Sequence, residues 1–423
     1  MNQTLFEAIK TAVNAYCAAE MDHRFKSSDP VVRLHEPTFG AEEINAALEC
    51  LVTTRVTMGP KVRRFEREFA DKFDFKHGVM VNSGSSANLL ALATLANPAY
   101  SKRLMPGDEV IVPALSWSTT VWPVVQMGLT PVIVDIDPDT LNIAPDQIEA
   151  AVSPKTRAVM IVPVYGNPCD MDAITDICRR HDLALIEDCC EALGASYDGK
   201  AVGQFGSVGT FSFYFSHHIT TLEGGICVTN DTEFAELSRI LRAHGWVREV
   251  EDRNAWLERY PEIDPRFLFV NAGYNLRATE VQAAMGSVQL PKLDGFVETR
   301  RANAAWFQSE LDRFSTRLSF QVETPKGYHS WFGFPVVLRE DAGFGVVDIC
   351  RHLNNAGIET RPIIAGNIAR QPAMELFAHR TVGDLKNADA VMARGFAFGN
   401  HQAIDEGSRA YILETIEAFL NEN

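Results

Sequence analysis

Residues 157–190 read RAVMIVPVYGNPCDMDAITDICRRHDLALIEDCC, and this run decides the fold. RAVMIVPVYG (157–166) is apolar and rich in Val, the composition of a strand covered on both faces. DMDAITDICRRHD (170–182) spaces its apolar residues at helical intervals. LALIEDCC (183–190) is a second buried-strand run, and it ends on two acids, Glu187 and Asp188. A strand, a helix and another strand of this kind predict parallel pairing through a crossover. The pattern extends in both directions. HGVMVNS (77–83), DEVIVPA (108–114) and TPVIVDID (130–137) precede it, with a helix pattern in SANLLALATLA (86–96). VGTFSFYF (208–215) and GGICVTN (224–230) close the series. The chain therefore reads as α/β, with a large, mostly parallel sheet and helices on both faces.

The texture changes outside this block. Residues 1–35 read as an added amphipathic helical arm, 36–295 as the large domain, and 296–423 as a smaller α+β domain. The last contains ANAAWFQSELDRF (302–314), WFGFPVVL (331–338), VVDICRHLNNAG (346–357), IETRPII (358–364) and a closing helix, RAYILETIEAFLN (409–421).

The chain has 423 residues, 46 % of them hydrophobic and 22 % charged, as expected for a folded globular protein. Its net charge of −16 argues against nucleic acid as a partner. The N-terminal stretch has no signal-type apolar core, and the longest uncharged window, Val110 to Val134, is broken by Pro113, Pro123 and Pro131. No membrane span is expected. The eight cysteines are scattered without a CxxC pair, which suits reduced thiols in a cytoplasmic protein.

Ligands of open α/β sheets bind at the carboxyl ends of the strands. Four such ends carry polar groups here. In NSGSSANLL (82–90), Gly84, Ser85 and Ser86 stand where a helix begins; they suit a phosphate, or a plain serine cap. In PALSWSTTV (113–121), Trp117 offers a face to a planar ring, or simply a core contact. In LIEDCCEALGA (185–195), Asp188 could face a protonated ring nitrogen or cap a helix. In SFYFSHHITTLEGG (212–225), His217 and His218 are adjacent. Adjacent histidines rarely chelate one ion together, and no Cys/Asp/Glu set with ligand spacing surrounds them, so no metal is expected.

Taken in order, these four segments resemble the DegT/DnrJ/EryC1/StrS sugar aminotransferases over about residues 32–420. The resemblance implies the type I, aspartate-aminotransferase fold, with pyridoxal phosphate in the large domain. It assigns Ser83, Gly84, Ser85, Ser86 and Ser212 to the phosphate and Trp117 to the ring face. It sets Asp188 at the ring nitrogen and Glu191 near the ring hydroxyl. Asn275, in GYNLR (273–277), would reach across a homodimer with shared active sites. His244 and Arg248, in RAHGWVR (242–248), match positions near the substrate.

One departure matters. The family pattern S-F-x-x-x-K places a cofactor-tethering lysine where this chain has His217; Lys200 and Lys292 are the nearest lysines in the sequence. An imidazole forms no stable Schiff base, so the cofactor would be held non-covalently as pyridoxamine phosphate. This is the mark of the His-for-Lys branch, the sugar 3-dehydratases. That branch implies a nucleotide-linked 4-keto-6-deoxyhexose as substrate, foremost GDP-4-keto-6-deoxy-D-mannose, with L-glutamate regenerating the amine. His217, at an unperturbed pKa of about 6.5, is expected to move protons in both directions. No iron–sulfur cluster is expected, since no cysteine lies between Cys227 and Cys350. The competing readings are an ordinary nucleotide-sugar aminotransferase and a non-catalytic sensor that lost its lysine. The nucleotide (GDP, CDP or dTDP) would be read by the arm or by residues 249–270.

Overall fold

A computed structural model describes residues 2–250 and 252–423. Its main sheet has eight strands. In spatial order they are His77–Val81, Gly225–Thr229, Val208–Ser212, Ala184–Asp188, Thr156–Ile161, Glu109–Pro113, Thr130–Val134 and Arg380–Thr381. From Val208–Ser212 onward every neighbouring pair is parallel; Gly225–Thr229 runs antiparallel to both its neighbours.

The apolar runs form these strands because both of their faces are covered. Along Glu109–Pro113, Val110 and Val112 pack into the cluster that holds Leu90 and Met160, while Ile111 packs with Ile174 and Ile177 on the opposite face. Helix Gly84–Leu95 is buried nearly all round, since it lies between the sheet and its neighbouring helices. Helix Met171–His181 is amphipathic and covers the other side, capped by the Asp170 side chain on the Ala173 N–H.

The C-terminal part carries a four-stranded antiparallel sheet, ordered Leu318–Phe320, Phe334–Leu338, Gly395–Phe398 and Thr360–Arg361. It has its own aromatic core, including Phe307, Phe334 and Phe398. Strand and bridge pairings are among the ties between this C-terminal part and the main sheet. Arg380–Thr381 joins the outer edge of Thr130–Val134, and Leu115 bridges Asn367. Helix Gln3–Glu20 buries only Phe6 and packs along Ala41–Val52. No described helix is long and apolar enough to cross a membrane.

Several apolar runs, TPVIVDID and VGTFSFYF among them, give strands shorter than the run, and at three others the backbone shows the cause. RAVMIVPVYG ends as a strand at Ile161, because Pro163 lacks an N–H and Tyr165 turns to φ 55°. WFGFPVVL is extended only from Phe334, because Trp331 sits at φ 49°. IETRPII keeps only Thr360–Arg361, because Pro362 follows and Ile364 is at φ 48°. All three interruptions lie beside the candidate site.

Candidate active site

The carboxyl ends of the strands open on a cavity of about 340 Å³. Its floor begins at helix Gly84–Leu95. The Ser83 hydroxyl caps this helix by accepting the Ser86 N–H at 3.0 Å. Gly84 allows the helix to touch the strand Val208–Ser212; a Cβ there would lie 2.5 Å from Ser212 Cβ. Gly84, Ser85 and Ser212 line the cavity together, at a helix N-terminus that favours an anion. Ser86 is not among the lining residues and serves the cap, its hydroxyl 2.9 Å from that of Ser83.

Asp188 ends its strand and is only 4 % exposed. Its Oδ2 accepts from Asn88 Nδ2 and from Thr120 Oγ1, both at 2.7 Å. Asn88 is itself fixed, accepting from Thr210 Oγ1 at 2.6 Å and donating to the Thr119 carbonyl at 3.2 Å. Oδ1 takes one long bond, 3.3 Å, from the Cys190 N–H. A buried carboxylate with no cation among these partners calls for a positive group opposite it in the cavity. Trp117, 56 % exposed, presents its ring at the start of helix Ser118–Gln126. Glu191 lines the wall and accepts the Tyr165 N–H at 3.1 Å; burial pushes its pKa up, against the pull of Arg361.

His217 faces this space from the other side. Its Nδ1 is sealed from solvent and has no hydrogen-bond partner. The ring edges against Phe332 at 5.0 Å and Tyr214 at 6.1 Å between centroids. Burial first, then the Arg361 and Arg300 guanidiniums, push its pKa down to about 3. The expectation of an imidazole near its ordinary pKa is thus corrected: His217 is neutral, poised to accept a proton rather than already holding one. Arg361 also lines the cavity, with its guanidinium 5.7 Å from the Tyr165 ring and 5.4 Å from the Phe332 ring.

The remaining candidates lie elsewhere in this chain. His218 is fully buried behind the wall. Asn275 is exposed and accepts from Arg277 Nε at 2.9 Å, outside its own chain's cavity lining. His244 is exposed, at φ 64°, and Arg248 lies 5.3 Å from the Trp246 ring; neither lines this cavity. Of the 249–270 segment, residue 251 lies outside the described residues; the helix Arg253–Arg259 within it buries none of its residues. Among the described residues, no group of three His, Cys, Asp or Glu side chains could hold a metal ion.

Asn88, Thr120, Arg361 and Phe332 are site residues that the sequence reading did not single out. Asn88 left a signal, being the one amide in an otherwise apolar helix face, NLLALATL. A flat phosphorylated ring fits this set of groups: an anion site at one end, a carboxylate for a ring cation at the other, and an indole for its face.

Many known proteins match this chain in sequence or in fold. The model of the DegT/DnrJ/EryC1/StrS aminotransferase family matches residues 37–417. GDP-4-keto-6-deoxy-D-mannose 3-dehydratase of Yersinia pseudotuberculosis is 41 % identical over 87 % of this chain and 94 % of its own. dTDP-4-dehydro-2,6-dideoxy-D-glucose 3-dehydratase of Saccharopolyspora spinosa is 37 % identical over 98 % of this chain and 92 % of its own. A crystal structure of GDP-4-keto-6-deoxymannose-3-dehydratase with a trapped PLP-glutamate geminal diamine superposes with a TM-score of 0.84 at 37 % identity, covering 91 % of this chain and all of that one. The α/β architecture is that of the type I pyridoxal-phosphate enzymes, and the chain belongs to the DegT/DnrJ/EryC1/StrS aminotransferase family.

Proposed function

We propose that this protein is a sugar 3-dehydratase that uses pyridoxamine phosphate held without a covalent tether. Its substrate is a nucleotide-linked 4-keto-6-deoxyhexose, GDP-4-keto-6-deoxy-D-mannose first, and L-glutamate restores the amine. One observation carries this reading: His217 lines the cavity, and no lysine is among the described residues that line it. Lys200 stands over the Phe205 ring at 4.5 Å, and Lys292 is paired with Glu42 and Glu43.

When bound, the cofactor supplies the amine and a ring that withdraws electrons from the bonds to be broken. The chain's own groups do the rest. Gly84, Ser85 and Ser212 would hold the phosphate, and Trp117 would cover the ring face. Asp188, oriented by Asn88 and Thr120, would keep the ring nitrogen protonated, and Glu191 would serve the ring hydroxyl. Arg361 offers a bidentate anchor for a donor carboxylate. His217 would accept at Nε2, its nitrogen not sealed into the wall, the proton given up by the amine-bearing carbon of the cofactor, and pass it to the sugar 3-hydroxyl as the C3–O bond breaks, so that the group leaves as water. The protonated imidazole is unfavourable beside Arg361 and in a buried setting, which favours release of the proton.

The reading includes a homodimer. Asn275 is exposed and outside its own chain's cavity, as a residue lent to a partner's site must be. Eight free cysteines support a reducing, cytoplasmic setting.

The test supplies glutamate, cofactor and a panel of GDP-, dTDP- and CDP-linked 4-keto-6-deoxy sugars, and follows ammonia and loss of water. The GDP substrate is expected to turn over fastest. Preference for the dTDP sugar would favour the second relative's substrate, which matches along more of this chain. A borohydride-reducible lysine adduct in the wild-type protein would replace the dehydratase reading with an ordinary aminotransferase.

A further inference from the structure

Of the two adjacent histidines, only His217 lines the cavity. A histidine that moves protons is normally oriented by a hydrogen bond at its second nitrogen. His217 Nδ1 has none. The groups that fix its ring are aromatic, and the nearer is Phe332, edge-on at 5.0 Å and 61°.

Phe332 sits on a strap, residues 329–333, that could not hold its shape alone. Trp331 is in the left-handed region, and a Cβ on Gly333 would lie 2.5 Å from Tyr165 Cε1. The strap's Ser330 and Phe332 N–H groups donate to the Gly166 and Tyr165 carbonyls at 3.0 and 2.7 Å, and Arg301 Nη1 holds the His329 carbonyl at 2.8 Å, while the carbonyls of 330–332 are gripped from below. His218 Nε2 donates to the Ser330 carbonyl at 3.1 Å. Arg300 Nη1 donates to the Phe332 carbonyl at 2.9 Å and to that of Trp331 at 3.4 Å, and also to the Asn400 carbonyl. The His218 ring rests on Phe332 as well, at 5.7 Å. Phe332 is thus held between the two histidines.

Both pins are expensive groups to bury. His218 is fully buried with Nδ1 unpartnered, and Arg300 is 2 % exposed with only carbonyls as acceptors. Apolar side chains of the same volume would fill this space without that penalty. We propose that His218 and Arg300 are positioning residues: by gripping the carbonyls of 330–332 they hold the Phe332 ring against His217, so that the imidazole presents one orientation to the cavity. The proposal rests on the reading of His217 as the proton-moving group.

The test compares H218F, which keeps a ring and loses the donor, with H218Q, whose side-chain amide can reach the Ser330 carbonyl. In H218F, kcat is expected to fall about 10- to 100-fold, with KM for glutamate and sugar changed less than about threefold. H218Q should recover to within about fivefold of wild type. An independent readout is the imidazole ¹⁵N signal of His217 in cofactor-free protein: one set in wild type and H218Q, broadened or doubled in H218F. Should H218F not fold, Phe332→Leu removes the ring edge with the pins intact and must show the same loss of kcat. Wild-type kcat in a folded H218F or in Phe332→Leu, equal losses in H218F and H218Q, or an unchanged His217 signal overturns the proposal. A wild-type protein that releases no ammonia from any sugar overturns the functional reading instead, and the ¹⁵N signal still decides the role of His218.

Discussion

At the scale of single residues, the site works by what it denies its groups. Asp188 has no guanidinium or ammonium among its hydrogen-bond partners, and His217 has no partner at Nδ1. Replacing Asp188 with Asn keeps the shape and removes the charge proposed to hold the ring proton. We expect kcat to fall at least about 10²-fold with cofactor still bound, checked by single-turnover absorbance. Replacing His217 with Lys should yield a cofactor adduct reducible by borohydride and abolish release of ammonia; a variant that still dehydrates would refute the assignment. His217 is held near 3, well below its ordinary value, so it is neutral throughout pH 5–8. The acid limb of kcat/KM should therefore show no ionisation near 6.5, as the pH–rate profile of the wild-type protein would reveal. Asp188 and Trp117 were legible because each ends a strand or starts a helix in the chain itself; Ser212 was legible only through the resemblance to the family's S-F pair. Arg361 and Thr120 were not: their roles come from partners far off in sequence, and nothing local distinguishes a cavity arginine from a surface one.

At the scale of elements, the turn from strand His77–Val81 into helix Gly84–Leu95 carries the anion site. Gly84→Ala would force apart the helix and the strand ending at Ser212, since the added carbon meets Ser212 at 2.5 Å. We expect a loss of about 1–3 kcal/mol in stability, read by denaturant titration, and weaker retention of cofactor on dialysis. The alternation of apolar runs revealed the central strands because burial on both faces leaves a plain signature in composition. It overstated strand length at Pro163, Trp331 and Ile364. Left-handed backbone at Tyr165, Trp331 and Ile364 is imposed by tertiary neighbours and has no local residue code. The sequence therefore located the strand ends only to within a few residues, and these few residues shape the wall.

At the scale of the whole molecule, two further outcomes can be measured. If Asn275 serves the partner's site, then mixing inactive H217A with inactive N275A and allowing exchange should restore about a quarter of wild-type sites. No recovery in a verified mixed dimer would place Asn275 outside the site. Five histidines, His35, His217, His218, His329 and His401, are held below their ordinary pKa, chiefly by burial. The unfolded chain takes up protons on them below about pH 6.5 while the folded chain takes up fewer, so their contribution is intact above that pH and erodes below it. Glu187, raised to about 7, and Glu191 and Glu223, also raised, act in the opposite sense, favouring the fold as pH falls. With five groups against three, Tm should fall between pH 7 and 5; a flat or rising Tm by calorimetry would contradict it.

The return of Arg380–Thr381 to the edge of Thr130–Val134 sets a rule for anyone who would graft a new sugar preference onto this scaffold. A cut made near residue 295, past every other strand of the large sheet, severs a strand from its own layer. Transplants between relatives must carry the donor's rim along with its C-terminal third, or the recipient is left with a bare flank open to sticking.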